Sequence, residues 1–139
     1  MSAYPRGKNL SAYQSVAAHG GVAASDPHGL ILMLLDGALD RVAKARGCIA
    51  NRTMGDKSQL LSRAFSIVEE LRLSLDLSKG GPLAANLSDL YDYICRQLTR
   101  ANAENKVEIL DEVTSLLQEI RVAWIAIPQE FRAARATFK

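Results

Sequence analysis

The chain has 139 residues, 48% of them hydrophobic and 23% charged, with a formal net charge of +2; this suits one globular domain and argues against wholesale disorder. A charge this small, with no long basic run, cannot supply the dense phosphate neutralisation that nucleic-acid affinity requires, so nucleic acid is set aside as a partner. The most apolar stretch, Leu30 to Leu35, is too short to span a bilayer, and no apolar run follows Arg6 and Lys8, so neither stable membrane insertion nor a signal peptide is predicted.

Residues 1–25 are rich in Ala, Gly and Ser and carry a Gly20-Gly21 pair, which predicts a mobile N-terminal arm. Asp26-Pro27 then opens a helix. Asp26 caps free backbone N–H groups, and Pro27 at the first helical position gives up an N–H that would lack a partner anyway. Ile31, Leu34, Leu35, Ala38, Val42, Ala45 and Ile49 recur at helical spacing, so the helix is expected to run to about Asn51. Leu30, Leu32, Met33 and Leu39 widen its apolar face, which implies more than one packing neighbour or a surface kept for a partner.

Gly55-Asp56 interrupts the pattern, and Asp56 is placed to cap a second helix striped by Leu60, Leu61, Ala64, Ile67, Val68, Leu71 and Leu75, ending near Leu77. Gly80-Gly81-Pro82 reads as a left-handed closure followed by a helix-opening proline. The third stripe is Leu83, Leu87, Leu90, Ile94, Leu98 and Ala101. Asn105 with Glu108 resembles a capping box before a fourth stripe of Ile109, Leu110, Val113, Leu116, Leu117, Ile120 and Trp124, with Pro128 marking its end or a kink. Four helices of similar length joined by short connections predict an all-α, antiparallel four-helix bundle over residues 26–127, with a short C-terminal tail over 128–139.

Chemistry for catalysis or cofactors is not visible in this pattern. The two histidines, His19 and His28, do not follow a Glu at the spacing a di-metal bundle needs. Gly20-Gly21 and Gly80-Gly81 lack the Lys and the spaced third glycine of phosphate-cradling loops. Cys48 and Cys95 have no partner at metal or redox spacing and are read as buried free thiols, in keeping with a reducing cytosol. No nucleophile with a base is found, so no enzyme, no metal and no cofactor is expected. Asp36-Gly37-Ala38 reads as a close-packing notch in preference to an opening for a partner's backbone, and Trp124 as a core anchor in preference to a binding residue. Tyr91 and Tyr93 lie about 200° apart on a helix and cannot both face one core, so one of them borders a groove.

Three segments together resemble the FliS family of flagellar export chaperones. The first is the run Val22 to Leu39, including Ser25-Asp26-Pro27-His28-Gly29 and Leu35-Asp36-Gly37-Ala38. Next come Glu70-Leu71, Ser74-Leu75-Asp76 and Gly80-Gly81, then Leu87, Leu90-Tyr91-Asp92-Tyr93, Leu98 and Ala101-Asn102. The last is Leu110-Asp111-Glu112-Val113 with Leu116-Leu117 and Arg121-Val122-Ala123-Trp124. Each piece alone is weak; their order and spacing within four helices make the set specific. Leu35 stands where many members carry Tyr or Phe, and Pro82 where the family often has an acidic residue.

The resemblance implies a cytoplasmic chaperone that holds the C-terminal segment of flagellin, prevents its premature polymerisation and helps deliver it to the flagellar type III export apparatus. Candidate client contacts on that basis are Leu34, Leu35, Asp36, Leu90, Tyr91, Tyr93, Ile94, Leu98 and Asn102. For Asn102, local bonding at a helix C-terminus is the competing reading. Leu10, Tyr13, Val16 and Val22 in the arm are candidates for a cap over the client groove or a clasp on the bound client, with a simply disordered arm as the competing reading. Export gate components and an anti-sigma factor are further partners the resemblance allows. The alternative is a helical adaptor or regulator of another flagellar protein, such as an anti-sigma factor; a cofactor-binding bundle is a more distant rival.

Overall fold

The structure, a computed structural model, describes residues 26–127. The expected arm, its cap residues Leu10, Tyr13, Val16 and Val22, and the expected tail lie outside the described residues. Within them the chain forms α1 (Pro27–Ala50), a 3-10 turn (Met54–Asp56), α2 (Lys57–Leu73), α3 (Leu77–Glu104) and α4 (Val107–Ile125). Each helix packs against two neighbours, in the ring order α1, α2, α3, α4 and back to α1. The short connections force antiparallel neighbours, and side-chain contacts give the register. Along α1 the contacts climb from His28 through Asp36 to Arg46, while their partners on α4 descend from Trp124 through Arg121 to Asp111. This is the four-helix bundle that the four stripes predicted.

The core is made by those stripes. Leu35, Ala38, Val42, Ala45, Ala64, Val68, Ile94, Ala101, Leu110, Val113 and Leu117 are fully buried. Helix α1 starts as its sequence requires: Asp26 is extended and its side chain accepts a hydrogen bond from the His28 N–H at 3.0 Å. Gly37 and Ala38 are both buried, as a close-packing notch demands.

Three local expectations are corrected. Helix α2 ends at Leu73 rather than near Leu77. The chain leaves the helix at Ser74, and Asp76 caps a new turn by accepting from the Ser78 N–H (3.2 Å), the Lys79 N–H (3.1 Å) and the Ser78 hydroxyl (2.7 Å). That turn closes at Gly81, whose φ of 58° and ψ of −141° exclude most side chains, and Pro82 opens the long rod of α3. A Cβ at Gly80 would collide with the Ala84 methyl.

Asp56 lies in the 3-10 turn, and its side chain makes no capping bond to α2. Nor does Asn105 cap α4. It takes the left-handed conformation (φ 56°, ψ 42°) that closes α3, its N–H bonding back to the Ala101 carbonyl, and Lys106 precedes α4 with no side-chain cap. Asn tolerates this conformation because its short amide can bond locally or across to a neighbour.

The helices are unequal, with 24, 17, 28 and 19 residues. On α2, Lys57 and Ser58 meet Asn102 and Phe65 meets Cys95. Continuing that register places the end of α2 beside Leu87, so the part of α3 before Leu87 extends beyond α2. The pole where α1 and α3 begin and α2 and α4 end is therefore incompletely covered.

Candidate functional site

Side chains tie three of the four seams between helices. On the α1/α4 seam, His28 and Trp124 grip each other. The His28 Nε2–H donates to the Trp124 carbonyl at 2.6 Å, the Trp124 indole N–H donates to the His28 carbonyl at 3.0 Å, and the rings stack 5.0 Å apart. Arg121 then bonds Asp36 at 2.5 Å, and Arg46 bonds Asp111 at 2.6 and 3.3 Å. The Arg46 guanidinium, by hydrogen bond first and charge second, holds the Asp111 carboxyl below its ordinary value.

On the α3/α4 seam the Glu112 carboxylate accepts from the Tyr93 hydroxyl at 2.9 and 3.0 Å and from the buried Gln97 amide at 3.2 Å. The bond to Glu112, aided by burial, raises the Tyr93 phenol. On the α2/α3 seam the Lys57 ammonium donates to the Asn102 carbonyl at 2.9 Å and to the Asn105 side chain at 2.5 Å. It thereby neutralises the carbonyl end of α3. Among the described residues no side-chain hydrogen bond or ion pair joins α1 to α2. That seam combines apolar packing with an open polar groove of about 650 Å³.

The candidate client residues divide by depth. Leu34, Leu35, Tyr91, Ile94 and Leu98 are 0–3% exposed and belong to the core. While the bundle is closed they offer a partner almost no surface. Asp36 is exposed, whereas Leu90, Tyr93 and Asn102 are half-buried. These four do not form one cluster. Asp36 belongs to the α1/α4 seam and Tyr93 to the α3/α4 seam, with Leu90 one turn before it on α3; Asn102 belongs to the α2/α3 seam. As their angular separation requires, Tyr91 points inward and Tyr93 outward. Asn102 bonds across the seam, its side chain accepting from the Ser58 hydroxyl at 3.0 Å, and not along its own helix end. Beside it, Ser58, Leu61, Ser62, Phe65, Leu98 and Thr99 line a shallow groove of about 190 Å³.

Cys95 is not an activated thiol. Cys95 is buried against the Phe65 carbonyl (3.8 Å), and burial pushes its thiol up to about 12. Cys48 is only half-buried, contrary to expectation, because it lines the open α1/α2 groove. Trp124 is likewise half-buried rather than central.

Sequence reasoning passed over the His28–Trp124 grip and the Lys57 contacts, which join residues far apart in the chain and leave no local signal. It also passed over the apolar pole. Of the described large hydrophobic side chains that are exposed, Leu73, Leu77, Leu83, Val122 and Ile125 all lie there, and only Met54 lies elsewhere. The unequal stripe lengths carry that signal.

A family model described as flagellar protein FliS matches residues 9–130, which includes the whole bundle. The chain is similar to the flagellar secretion chaperone FliSB of Pseudomonas aeruginosa, with 39% identity over 120 residues, 86% of this chain and 95% of the relative. It is also 40% identical over 116 residues to the flagellar secretion chaperone FliS of Salmonella typhimurium, covering 83% of this chain and 86% of the relative. To the FliS of Vibrio cholerae it is 34% identical over 123 residues, 88% of this chain and 90% of the relative.

Proposed function

We propose, because the chain belongs to the FliS family of flagellar proteins, that it binds the C-terminal segment of flagellin in the cytoplasm, prevents its premature polymerisation and assists its delivery to the export apparatus. The match across the whole bundle carries this reading, since it aligns the complete scaffold with proteins named flagellar secretion chaperones. Such a client exposes apolar, helix-forming surface until it packs into a filament. A bundle occupies that surface by accepting short helices and extended pieces between its own helices. Leu90, Tyr93, Asn102 and Asp36 are the contacts available on the closed bundle. Leu34, Leu35, Tyr91, Ile94 and Leu98 form the floor beneath them, engaged directly only where a seam opens. Leu10, Tyr13, Val16 and Val22 cap the groove before the client arrives.

Titration calorimetry with the C-terminal segment of flagellin tests the reading. Coupled folding onto an apolar surface predicts a large negative heat-capacity change and weak salt dependence. A steep salt slope without a heat-capacity change would refute that binding mode. No binding by a folded bundle would assign the chain to another flagellar partner.

A further inference from the structure

The apolar pole asks for an occupant. Leu73, Leu77 and Leu83 are 51%, 56% and 65% exposed, and Val122 and Ile125 on α4 are 64% and 42% exposed. Two carboxylates flank them on the α3/α4 seam. Glu119 is two turns beyond Glu112 on α4, and Asp89 is one turn before Tyr93 on α3. Glu112 meets Tyr93 and Gln97, so the antiparallel register brings Asp89 and Glu119 to the same stretch of seam, and it brings Ile125 near Leu83. Both carboxylates are exposed, and among the described residues neither is in an ion pair. The pole therefore presents apolar surface beside two exposed carboxylates that pair with no described residue.

Residues 128–139, Pro-Gln-Glu-Phe-Arg-Ala-Ala-Arg-Ala-Thr-Phe-Lys, begin at this pole. Phe131, Ala134 and Phe138 recur at spacings of three and four residues, and Arg132, Arg135 and Lys139 fall along one edge of the strip they make, so the segment's pattern is an apolar strip flanked by cations. The end of α4 is already closed. The Ile127 N–H reaches the Trp124 carbonyl at 3.3 Å, and Pro128 has no N–H with which to continue the ladder. Twelve residues span about 18 Å if helical and about 40 Å if extended. Helix axes lie about 8–10 Å apart, so either conformation is long enough to cross the pole.

We infer that residues 128–139 cover this pole, with Phe131 and Phe138 against Leu83, Leu77 and Val122, and with Arg132 and Arg135 facing Asp89 and Glu119. The assignment is independent of which client the bundle carries.

Photocrosslinking in the full-length chain tests it. Phe131→p-benzoylphenylalanine should crosslink within one chain to residues 73–90 or 119–125, with a yield unchanged by tenfold dilution. Leu83→Asp, at a site too exposed to endanger folding, should lower that yield at least fivefold. The double variant Asp89→Asn with Glu119→Gln should lower it about twofold and remove its salt dependence. Crosslinks between chains that grow with concentration would give the pole to a second copy and overturn the assignment. Crosslinks to other parts of the bundle, or only to an added flagellin segment, would overturn it too, as would none at all. An unchanged yield in the double variant would overturn its electrostatic half.

Discussion

Helix α1 is held on its two sides by different physics. Toward α4 it is fastened by three directional contacts, at His28, Asp36 and Arg46, each fixing the register at one height. Toward α2 it has no such contact, only buried side chains including the small Ala38, Ala45 and Ala64, and a wide polar groove at the surface. Apolar burial is proportional to area and indifferent to a small slide, whereas a hydrogen bond fails within a fraction of an ångström. The α1/α4 seam therefore specifies alignment, and the α1/α2 seam supplies adhesion.

The largest expected effect tests adhesion. Leu71 on α2 is 1% exposed, and Leu71→Ala should cost about 2–5 kcal/mol, read as a lower denaturant midpoint with unchanged slope. A loss well below that range would mean α2 is held by something other than burial.

Trp124→Phe is the next sharpest probe, because it keeps an aromatic ring to face His28 while deleting the indole N–H along with part of the ring's area. The lost bond to the His28 carbonyl should cost about 1 kcal/mol. His28→Ala keeps the accepting carbonyl and removes the imidazole, so an equal loss in that background would mean that the ring stack and the Nε2–H bond do not reinforce the indole bond.

The smallest effect belongs to the exposed Arg46–Asp111 contact. The folded state lowers the Asp111 carboxyl, so its stabilisation is fully present above the unfolded value of about 3.9 and is lost as pH falls through the lower folded value. Asp111→Asn should therefore make the acid limb of the stability curve shallower, without abolishing it, because Asp76 and Glu104 are lowered too. An acid limb identical to that of the parent chain would show that the contact contributes nothing to folding.

The four helices were legible because each stripe repeats long enough to decide its period; α1, predicted to end near Asn51, ends at Ala50. The end of α2 was not legible for a specific reason. Leu75 continues the stripe one turn after Leu71 and still packs against the core, although the backbone has already left the helix. Periodicity records which residues are apolar, and an apolar residue in a turn satisfies it equally well. Asn105 misled because the same residue type both opens and closes helices, and only the contact with Lys57, 48 positions away, accompanies its use as a closure. Among the candidate site residues the sequence could not separate floor from rim. Leu34 and Leu90 read alike as stripe members, yet one is buried and the other half-exposed, because depth depends on where neighbouring helices stop.

The ring order also has a consequence in time. Three of the four seams join helices adjacent in sequence, each reachable through a connection of a few residues, but the His28–Trp124 contact closes a loop of 96 positions. The entropy of bringing ends together grows with the logarithm of loop length, and contacts distant in sequence form late unless intervening structure has shortened the path. The first three seams provide that shortening, so the molecule should assemble as successive helical hairpins and close α4 onto α1 at the end. The same order run backwards makes this seam the first to part, uncovering α1 along the line of His28, Asp36 and Arg46 before any other helix pair lets go.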